Sequence, residues 1–422
     1  MKVIKSIKGM HDALPEDAHI ADSIQSICAK ILSNASYRRI STPIVEKTEL
    51  FSRTIGAETD IVAKEMYTFE DRNGDSLTLR PEGTASCVRA GIEHGLLYNQ
   101  QQRLWYSGPM FRHERPQKGR YRQFHQIGVE AYGWATPDID AELLSITDQL
   151  WKALGLNGIE LQINSLGSSQ ARKDYRNALV KYLSEFENEL DVDSRRRLHS
   201  NPLRILDSKV ASTQKLLIQA PILSDYLDQD SKDEFEQLLN YLNALSIPFT
   251  INPKLVRGLD YYNKMVFEWV YPSLSAQATV CAGGRYDGLV EQLGGKATAA
   301  CGFAMGVERL IELVKENRHS QIQLNTPDIY FLSVDMEARI LAFELVQLLR
   351  NNDISVQMHC GPGSLKNQIK RADKSGAKYA LILANDEMLN GQITIKPLLD
   401  RTEQYQINQS NLLESITALL SD

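Results

Sequence analysis

The sequence predicts an α+β fold with a sheet core flanked by helices, a helical insertion and a smaller α/β domain at the C-terminal end. Three observations predict it. Two strand-like runs, 104–112 and 121–132, are joined by a polar loop rich in cations. Residues 168–243 have the spacing of long, charged helices. Beyond residue 326, strand-like and helix-like runs alternate.

Composition and charge narrow the class of protein. Hydrophobic residues make up 43% and charged residues 24%, which is ordinary for a globular protein. The net charge of -6 argues against nonspecific coating of nucleic acid, so any contact with RNA must be local. The five cysteines lack zinc-ligand spacing, which predicts reduced thiols and no metal site made of protein side chains alone. Because no signal peptide or spanning segment is recognisable, we expect a cytoplasmic protein with no membrane contact.

Domain boundaries follow from changes in composition. The polar run 315–326 is typical of a linker. We therefore predict a first domain over 1–318, with the insertion at about 168–250, and a second domain over 326–422. The arginines 195–197 of the insertion are expected on a solvated helix face, with contact to an RNA stem as the alternative.

The first elements have a structural pattern. Between Ala18 and Asn34, apolar residues recur at helical spacing and predict an amphipathic helix. The run 37–46 is typical of a strand, and Pro43 within it is expected at an edge or a break. The run 66–79, interrupted by the turn residues RNGDS, predicts a hairpin.

A candidate ligand-binding face lies on the two strands around the basic loop. Because alternate side chains of a strand share a face, Gln126, Gly128 and Glu130 lie together, and Arg112 is expected to converge on them. Gly128 leaves a gap in which a flat ligand is expected to approach the sheet. A buried arginine and a buried glutamate either pair or await a ligand, since an unpaired buried charge is costly.

Two neighbouring segments add polar candidates. Glu82 and Thr84 stand at a strand-to-helix junction, where they either cap the helix or bind a substrate. The loop after Arg112 includes Lys118 and Arg120, and such a run is typical of a solvated loop or of a site for phosphates or RNA.

Two later segments complete the set. RGLDYY, within a predicted strand over 255–270, places Arg257, Tyr261 and Tyr262 within six residues, and the tyrosines are either core residues or ligand contacts. CAGGRYDGL, which carries Tyr286, predicts a glycine-rich turn.

Together these segments resemble a known family. FRHE, the basic loop and GVEAYGW resemble the second signature motif of the class II aminoacyl-tRNA synthetases. CGFAMGVERL, a predicted strand that rises into a helix, resembles the third, and the run 18–46 resembles the first, which forms the homodimer interface. LRPEGT and RGLDYY resemble the histidyl-tRNA synthetase family within that class. The resemblance implies a class II catalytic core with an antiparallel sheet, followed by an anticodon-binding α/β domain.

The resemblance also implies an activity and roles for residues. A histidine-tRNA ligase activates L-histidine with ATP, releases pyrophosphate and transfers histidine to the 3′-terminal adenosine of histidine tRNA. ATP and Mg2+ are the implied cofactors, and a homodimer the implied assembly. The implied roles are catalysis for Arg112 and Arg257; ATP binding for Arg112, Arg257 and Arg309; histidine binding for Glu82, Thr84, Gln126, Glu130, Tyr261, Tyr262 and Tyr286; and contact with the tRNA acceptor end for Gln117, Lys118 and Arg120.

Within that reading, Glu130 accepts a hydrogen bond from one imidazole nitrogen and Tyr262 addresses the other. A competitor without these groups would leave a buried carboxylate unpaired, so we expect no editing domain.

The C-terminal part alternates in βαβ fashion over 327–399, which predicts a mostly parallel sheet. Lys366, Lys370 and Lys374 are spaced along one predicted helix, as on a solvated face or, by the resemblance, in an anticodon-binding domain. The stretch 383–388, LANDEM, departs from the LGxxE of the family, which predicts a different local turn.

Three alternatives remain at this point. A synthetase-like regulatory subunit of histidine biosynthesis binds histidine without charging tRNA, but it typically lacks the anticodon domain and the intact motifs. Another class II synthetase, for threonine or glycine, is disfavoured by RGLDYY and by the missing zinc-ligand spacing. An RNA-binding scaffold is distinguished by whether the protein turns over ATP.

Overall fold

The fold was obtained as a computed structural model, which describes residues 3–56, 59, 61–117, 119–273, 279–317, 326–399 and 402–421. The chain forms two compact units, Met1–Gln323 and Leu324–Asp422. All five cysteines are free thiols. In the described part, no helix combines the length and the apolar composition needed to cross a lipid bilayer.

Two sheets organise the first unit. Its strands are β1 (Arg38–Arg39), β2 (Val45–Lys47), β3 (Tyr67–Glu70), β4 (Ser76–Leu79), β5 (Gln102–Phe111), β6 (Gln123–Tyr132), β7 (Glu160–Ser165), β8 (Phe249–Ile251), β9 (Asn263–Val270), β10 (Thr279–Arg285) and β11 (Ala300–Gly306). Among the described residues they form an eight-stranded sheet, in the order β1-β5-β6-β11-β10-β9-β7-β8, and a three-stranded sheet, β2-β4-β3. The large sheet is antiparallel except for the edge pairs β1/β5 and β7/β8.

Helices cover both faces of the large sheet. They are α1 (Pro15–Asn34), α2 (Thr48–Ile55), α3 (Thr84–Glu93), α4 (Pro137–Ala153), α5 (Ser169–Ser184), α6 (Val192–Ser200), α7 (Ala211–Leu216), α8 (Gln229–Ala244), α9 (Leu289–Gln292) and α10 (Val307–Glu316). Side chains of α1, α4, α8 and α10 form one core with Trp105, Ile127 and Val129 of β5 and β6. The alternate side chains of these strands, including Tyr106 and Tyr132, form a second core with α3 and α5.

The helical insertion consists of α5 to α8, between the neighbouring strands β7 and β8. Three of its helices begin at side-chain caps: Ser168 accepts from the Ala171 N–H, and Asp191 and Asp228 do the same for α6 and α8. Such caps satisfy backbone N–H groups that lack a partner in the first turn. Arg195 and Arg196 are exposed on α6, which fits the predicted solvated face.

Two local predictions are wrong. The predicted strand over 255–270 begins only at Asn263, so RGLDYY is a loop that precedes β9. The predicted turn over 281–289 is mostly strand β10. A Cβ atom on Gly283 would lie 2.1 Å from the backbone oxygen of Gly302 on β11, so this glycine permits close strand contact instead of a turn.

The second unit contains a mixed sheet. Its elements are β12 (Ile329–Ser333), α11 (Met336–Arg350), β13 (Val356–Met358), α12 (Leu365–Ser375), β14 (Tyr379–Leu383), α13 (Asn385–Leu389), β15 (Gln392–Pro397), β16 (Tyr405–Asn408) and α14 (Leu412–Ser421). In the order β13-β12-β14-β15-β16, the first three strands are parallel, but β14/β15 and β15/β16 are antiparallel. The expectation of a mostly parallel sheet is therefore wrong, because the short link through α13 cannot make a parallel crossover.

Candidate functional site

A cleft of about 320 Å³ opens over β6, β10 and β11, beside the RGLDYY loop. This volume lies in the range of small-molecule sites. The cleft brings together residues from six separated segments of the first unit, between Ile61 and Arg309. The sequence-predicted residues that line it are Glu82, Thr84, Arg112, Arg120, Gln126, Arg257, Tyr261, Tyr262 and Arg309.

Tyr106, which sequence reasoning missed, fills the gap that was predicted to admit a ligand. It lies directly opposite Gly128 in the β5/β6 pair. A Cβ atom on Gly128 would lie 2.2 Å from Cζ of Tyr106, and one on Gly83 would lie 2.1 Å from its Cε2. The expectation that Gly128 receives a flat ligand is therefore wrong, because the glycine makes room for a tyrosine ring. The available signal was that a large side chain commonly covers a cross-strand glycine.

Glu130 lies beneath the cleft and does not line it. The carboxyl group is 1% exposed and accepts hydrogen bonds from Thr84 (2.8 Å), Tyr106 (3.0 Å) and Tyr286. Burial raises the pKa of Glu130 to about 8, although all three hydroxyl donors act to lower it. Beneath the cleft there is therefore a carboxyl group with a pKa of about 8, and its hydrogen bonds come from three hydroxyl groups.

Glu82 satisfies both of the readings left open by the sequence. Its carboxylate accepts hydrogen bonds from the N–H groups of Thr84 (2.6 Å) and Ala85 (2.9 Å), and so caps α3. It also lines the cleft. Burial raises the pKa of Glu82, and the Arg112 charge opposes that effect. A buried carboxylate at a cleft wall favours a cationic ligand group, which would lower the cost of its charge.

The two tyrosines of the RGLDYY loop pack against each other and against Tyr286, which bonds to Glu130. The ring centroids of Tyr261 and Tyr262 are 4.7 Å apart, and Tyr286 lies 5.6 Å and 6.3 Å from them. Tyr286 is 1% exposed and does not line the cleft. Burial raises the pKa of Tyr262 to about 12, so its hydroxyl stays protonated at neutral pH.

Arg257 is fixed by a carboxylate. Its Nη1 donates to Glu268, which also accepts from the Thr279 hydroxyl at 2.8 Å. The guanidinium lies 5.7 Å from the centre of the Tyr262 ring. Burial acts to lower the pKa of Arg257, but Glu268, the neighbouring phenols and Asp207 together leave that pKa raised. Its cation is thus held at the junction of the arginine and tyrosine parts of the cleft.

Three more guanidinium groups line the same cleft. Arg112 donates from Nε to the Pro81 carbonyl at 2.8 Å, and Arg309 donates to the carbonyls of Gly119 and Thr279. Burial lowers the pKa of Arg112, Arg120 and Arg309, and the charges of Arg120 and Arg112 lower that of Arg309 further. Like charges that depress one another would be relieved by an anion between them.

Comparison with known proteins matches this architecture. A family model described as histidyl-tRNA synthetase matches residues 9–310, and one described as an anticodon binding domain matches residues 328–419. The chain belongs to the histidyl-tRNA synthetase family. The predicted fold class, a class II core with a C-terminal anticodon-binding domain, is confirmed.

Solved structures agree with the assignment to the histidyl-tRNA synthetase family. The apo histidyl-tRNA synthetase of S. aureus is 36% identical, with a TM-score of 0.81, over 98% of this chain and 100% of that one. The enzyme of a Nostoc species is 20% identical, with a TM-score of 0.72, over 99% and 100%. A Bacillus halodurans protein described as an ATP phosphoribosyltransferase regulatory subunit/histidyl-tRNA synthetase is 22% identical, with a TM-score of 0.65, over 89% and 97%. At such identities, the last two show the fold alone.

The loop that corresponds to the second family motif is a tight turn beside the cleft. Gln117 and Arg120 exchange two backbone hydrogen bonds, and Gly119 has a φ of +70° between them. Arg120 pairs with Glu114 and lines the cleft, whereas Gln117 is exposed. Lys118, the third predicted contact for the acceptor end, lies outside the described residues.

Proposed function

We propose that the protein is a histidine-tRNA ligase, which joins histidine to ATP as histidyl-adenylate and then transfers histidine to its tRNA. One observation carries the proposal: a single cleft joins carboxylate and tyrosine side chains, Glu82 and Tyr262, to the arginines Arg112, Arg257 and Arg309. These are the charges that a zwitterionic amino acid and a triphosphate require. Membership of the family supports the same reading.

At the carboxylate end, Glu82 and Thr84 receive the α-amino group of histidine, with Gln126 beside them. The imidazole lies over the tyrosines. Tyr262 forms a hydrogen bond with one of its nitrogen atoms, and Glu130 determines which hydrogen-bonding groups face the other nitrogen. Glu130 holds the hydroxyls of Thr84 and Tyr106, and both of these residues line the cleft. The carboxyl group thus acts on the ligand through those hydroxyls, or directly if one of them turns away.

At the arginine end, the histidine carboxylate attacks the α-phosphorus of ATP, the bond to the bridging oxygen breaks, and pyrophosphate leaves. Negative charge builds on the α-phosphate oxygens during this step. In this proposal Arg112 and Arg257, which both line the cleft, stabilise that charge, because fixed donors in a water-poor cleft are worth far more than in bulk water. Arg309 binds the outer part of the nucleotide.

Magnesium fits the same proposal as a companion of the phosphates. Among the described residues, no group of three or more metal-ligating side chains forms a ready-made metal cage. Mg2+ is commonly held by one or two carboxylates together with substrate phosphates. Glu268 and Glu308 are the carboxylates of the cleft wall near Arg309 and would hold the ion there. When bound, the ion neutralises charge on the outer phosphates.

In the second step, a hydroxyl of the terminal adenosine attacks the histidyl carbonyl carbon, and AMP leaves. Arg120 and Gln117, with Lys118, guide the acceptor end into the cleft. The C-terminal unit, which matches the anticodon-binding model, binds the other end of histidine tRNA. Under this proposal the protein acts in the cytoplasm as a homodimer.

The second candidate is a histidine-binding regulatory subunit, a function that the Bacillus halodurans protein carries in its name alongside that of the enzyme. The fold is shared, so it does not separate the two. The ligase is favoured because the cleft contains four arginines in addition to the amino-acid end. A protein that only bound histidine would have no need of them.

The experiment is single-turnover formation of histidyl-adenylate by wild type and by Arg257→Ala. We expect the rate to fall by roughly 100-fold or more, as for the loss of one preorganised donor to the transition state. Arg72→Ala, which removes an exposed arginine in the β3–β4 turn, is the matched control and should leave the rate unchanged. An unchanged rate in a folded Arg257→Ala protein would remove Arg257 from the mechanism.

A further inference from the structure

A second cleft lies on the other side of the RGLDYY loop, against the helical insertion. Its volume is about 310 Å³, close to that of the first cleft. Three segments form its walls: the first turns of α5, the link 200–204 after α6, and the loop 256–262. The charged residues of its lining are five cations and one carboxylate, namely Arg172, Lys173, Arg176, Arg204, Arg257 and Asp260.

The cations of this second cleft are only partly compensated. Arg204 pairs with Asp207 at 2.8 Å and Arg257 pairs with Glu268, which accounts for two of the five. Arg172 donates to the Tyr262 carbonyl, and Arg176 donates to two carbonyls of the α6 C-terminus, at 3.1 Å and 3.2 Å. Carbonyl oxygens satisfy hydrogen bonds but do not neutralise charge.

Asp260, the carboxylate of the cleft lining, is itself engaged. It accepts a hydrogen bond from Nδ2 of Asn201 at 2.9 Å. Burial lowers the pKa of Arg172, and Asp260 is the group that opposes this effect. Arg172, Arg176 and Arg204 therefore share one carboxylate, and an anion in the cleft would supply the missing negative charge.

Arg257 belongs to the walls of both clefts, as do Leu259 and Tyr262. Nε of Arg257 is buried and has no hydrogen-bond partner among the described residues, although its Nη1 donates to Glu268. An unsatisfied buried donor of this kind marks a place where a ligand or water completes the hydrogen bonds.

We propose that the second cleft binds a compact phosphate-bearing anion of about the size of pyrophosphate. The cations converge from three segments onto a pocket that Leu203 and Leu259 also line. An RNA backbone follows rows of cations on open surfaces, so this pocket favours a small ligand. The inference does not depend on the reaction in the first cleft. It concerns a separate site that adjoins the first through Arg257.

The test is calorimetric titration of the full-length protein with inorganic pyrophosphate, comparing wild type with the double variant Lys173→Gln/Arg176→Gln. Both side chains are exposed at the cleft mouth and outside the first cleft, so we expect the fold and histidine-dependent activity to persist. The variant should bind one pyrophosphate fewer than wild type. If two molecules still bind, the affinity of the weaker site should be at least tenfold lower than in wild type. Lys181→Gln, farther along α5, is the control on the same helix and should bind like wild type.

The outcomes separate this site from the proposed function. If the first cleft is not a nucleotide site, wild type binds one pyrophosphate and the double variant binds none, which still supports the second cleft. Identical titrations for wild type and the double variant would overturn the inference. A variant that binds pyrophosphate normally but loses affinity for tRNA would overturn it too, because the cations would then serve RNA.

Discussion

Glu130 accepts its hydrogen bonds from hydroxyl groups, and burial raises its pKa to about 8. The unfolded-state value is near 4.5, so the folded protein favours the protonated form. The contribution of this group to the free energy of unfolding is therefore fully present below pH 4.5 and is lost as the pH rises toward 8. Near neutral pH, a small change in surroundings switches its charge, which suits a group beneath the proposed histidine site.

We predict that the free energy of unfolding of wild type falls relative to that of Glu130→Gln as the pH rises from about 4.5 to about 8. The slope of the difference is at most about 1.4 kcal/mol per pH unit, because glutamine has no charge to bury. Denaturant unfolding across this pH range measures it. Glu70→Gln, at an exposed position of β3, should run parallel to wild type. Parallel curves for Glu130→Gln as well would contradict the account.

Gly128 tests the tyrosine that sequence reasoning missed. In Gly128→Ala the new methyl group meets the Tyr106 ring, which also lies against Gly83 and has little room to move. We predict a loss of stability of roughly 1–3 kcal/mol, as for overpacking, and weaker histidine binding, because the Tyr106 hydroxyl is displaced from Glu130.

Gly288→Ala is the matched control for the Gly128 variant. A Cβ atom on Gly288 meets nothing within 4 Å, and its φ of -83° suits alanine. Thermal unfolding and histidine titration of both variants provide the comparison. If Gly128→Ala retains wild-type histidine affinity, the placement of Tyr106 has no bearing on the ligand.

At the scale of elements, a buried ion pair fastens helix α4 to the sheet. Arg285, at the end of β10, donates to Asp140 of α4 at 2.7 Å and 3.2 Å, and both side chains are almost fully buried. Its other hydrogen bonds reach the carbonyls of Trp134 and Thr136 and, at 3.3 Å, the carboxylate of Asp287. The pair thus joins β10 to α4 and to the link that precedes α4.

We predict that Asp140→Asn lowers the free energy of unfolding by about 3–5 kcal/mol, because Arg285 loses its fully buried partner and keeps only the longer contact with the Asp287 carboxylate, at 3.3 Å. Asp148→Asn removes a carboxylate from the same helix, where it pairs with the exposed Lys152 at 2.6 Å. That control should cost at most about 0.5 kcal/mol. Chemical denaturation of both variants makes the comparison, and equal losses would show that burial of the pair has no weight.

Elements with strong periodicity were predictable. The β5 and β6 strands were predictable because alternate side chains of a strand share a face. The same alternation predicts the face that carries Gln126, which lines the cleft. The loop that carries RGLDYY was not predictable. Its apolar residues are buried like those of a strand, but its backbone is irregular. The sequence predicts a turn at β10, because a glycine that permits close backbone contact cannot be distinguished by sequence from a glycine in a turn.

For the site, residue types were predictable and their partners were not. Glu130 and Tyr286 carry recognisable motifs, yet only the fold shows that they bond to each other beneath the cleft. Tyr106 lies in no recognised motif. Its role depends on the register between β5 and β6, which is fixed by pairing along the whole hairpin.

At the scale of the whole molecule, charge is distributed unevenly. The chain has a net charge of -6, yet four arginines line the first cleft, and the second is lined mainly by cations. An acidic protein with local cationic sites repels nucleic acid over most of its surface and binds phosphates at defined places. This arrangement fits a protein that must bind a nucleotide and one kind of tRNA.

The measurement that tests the central claim is exchange of labelled pyrophosphate into ATP, in the presence of each standard amino acid in turn. The proposed cleft predicts exchange with histidine alone, since it joins a site for that side chain to a site for the phosphates. Exchange with a different amino acid would contradict the histidine pocket. No exchange at all, in a folded protein that still binds histidine, would contradict the ligase and favour the regulatory subunit.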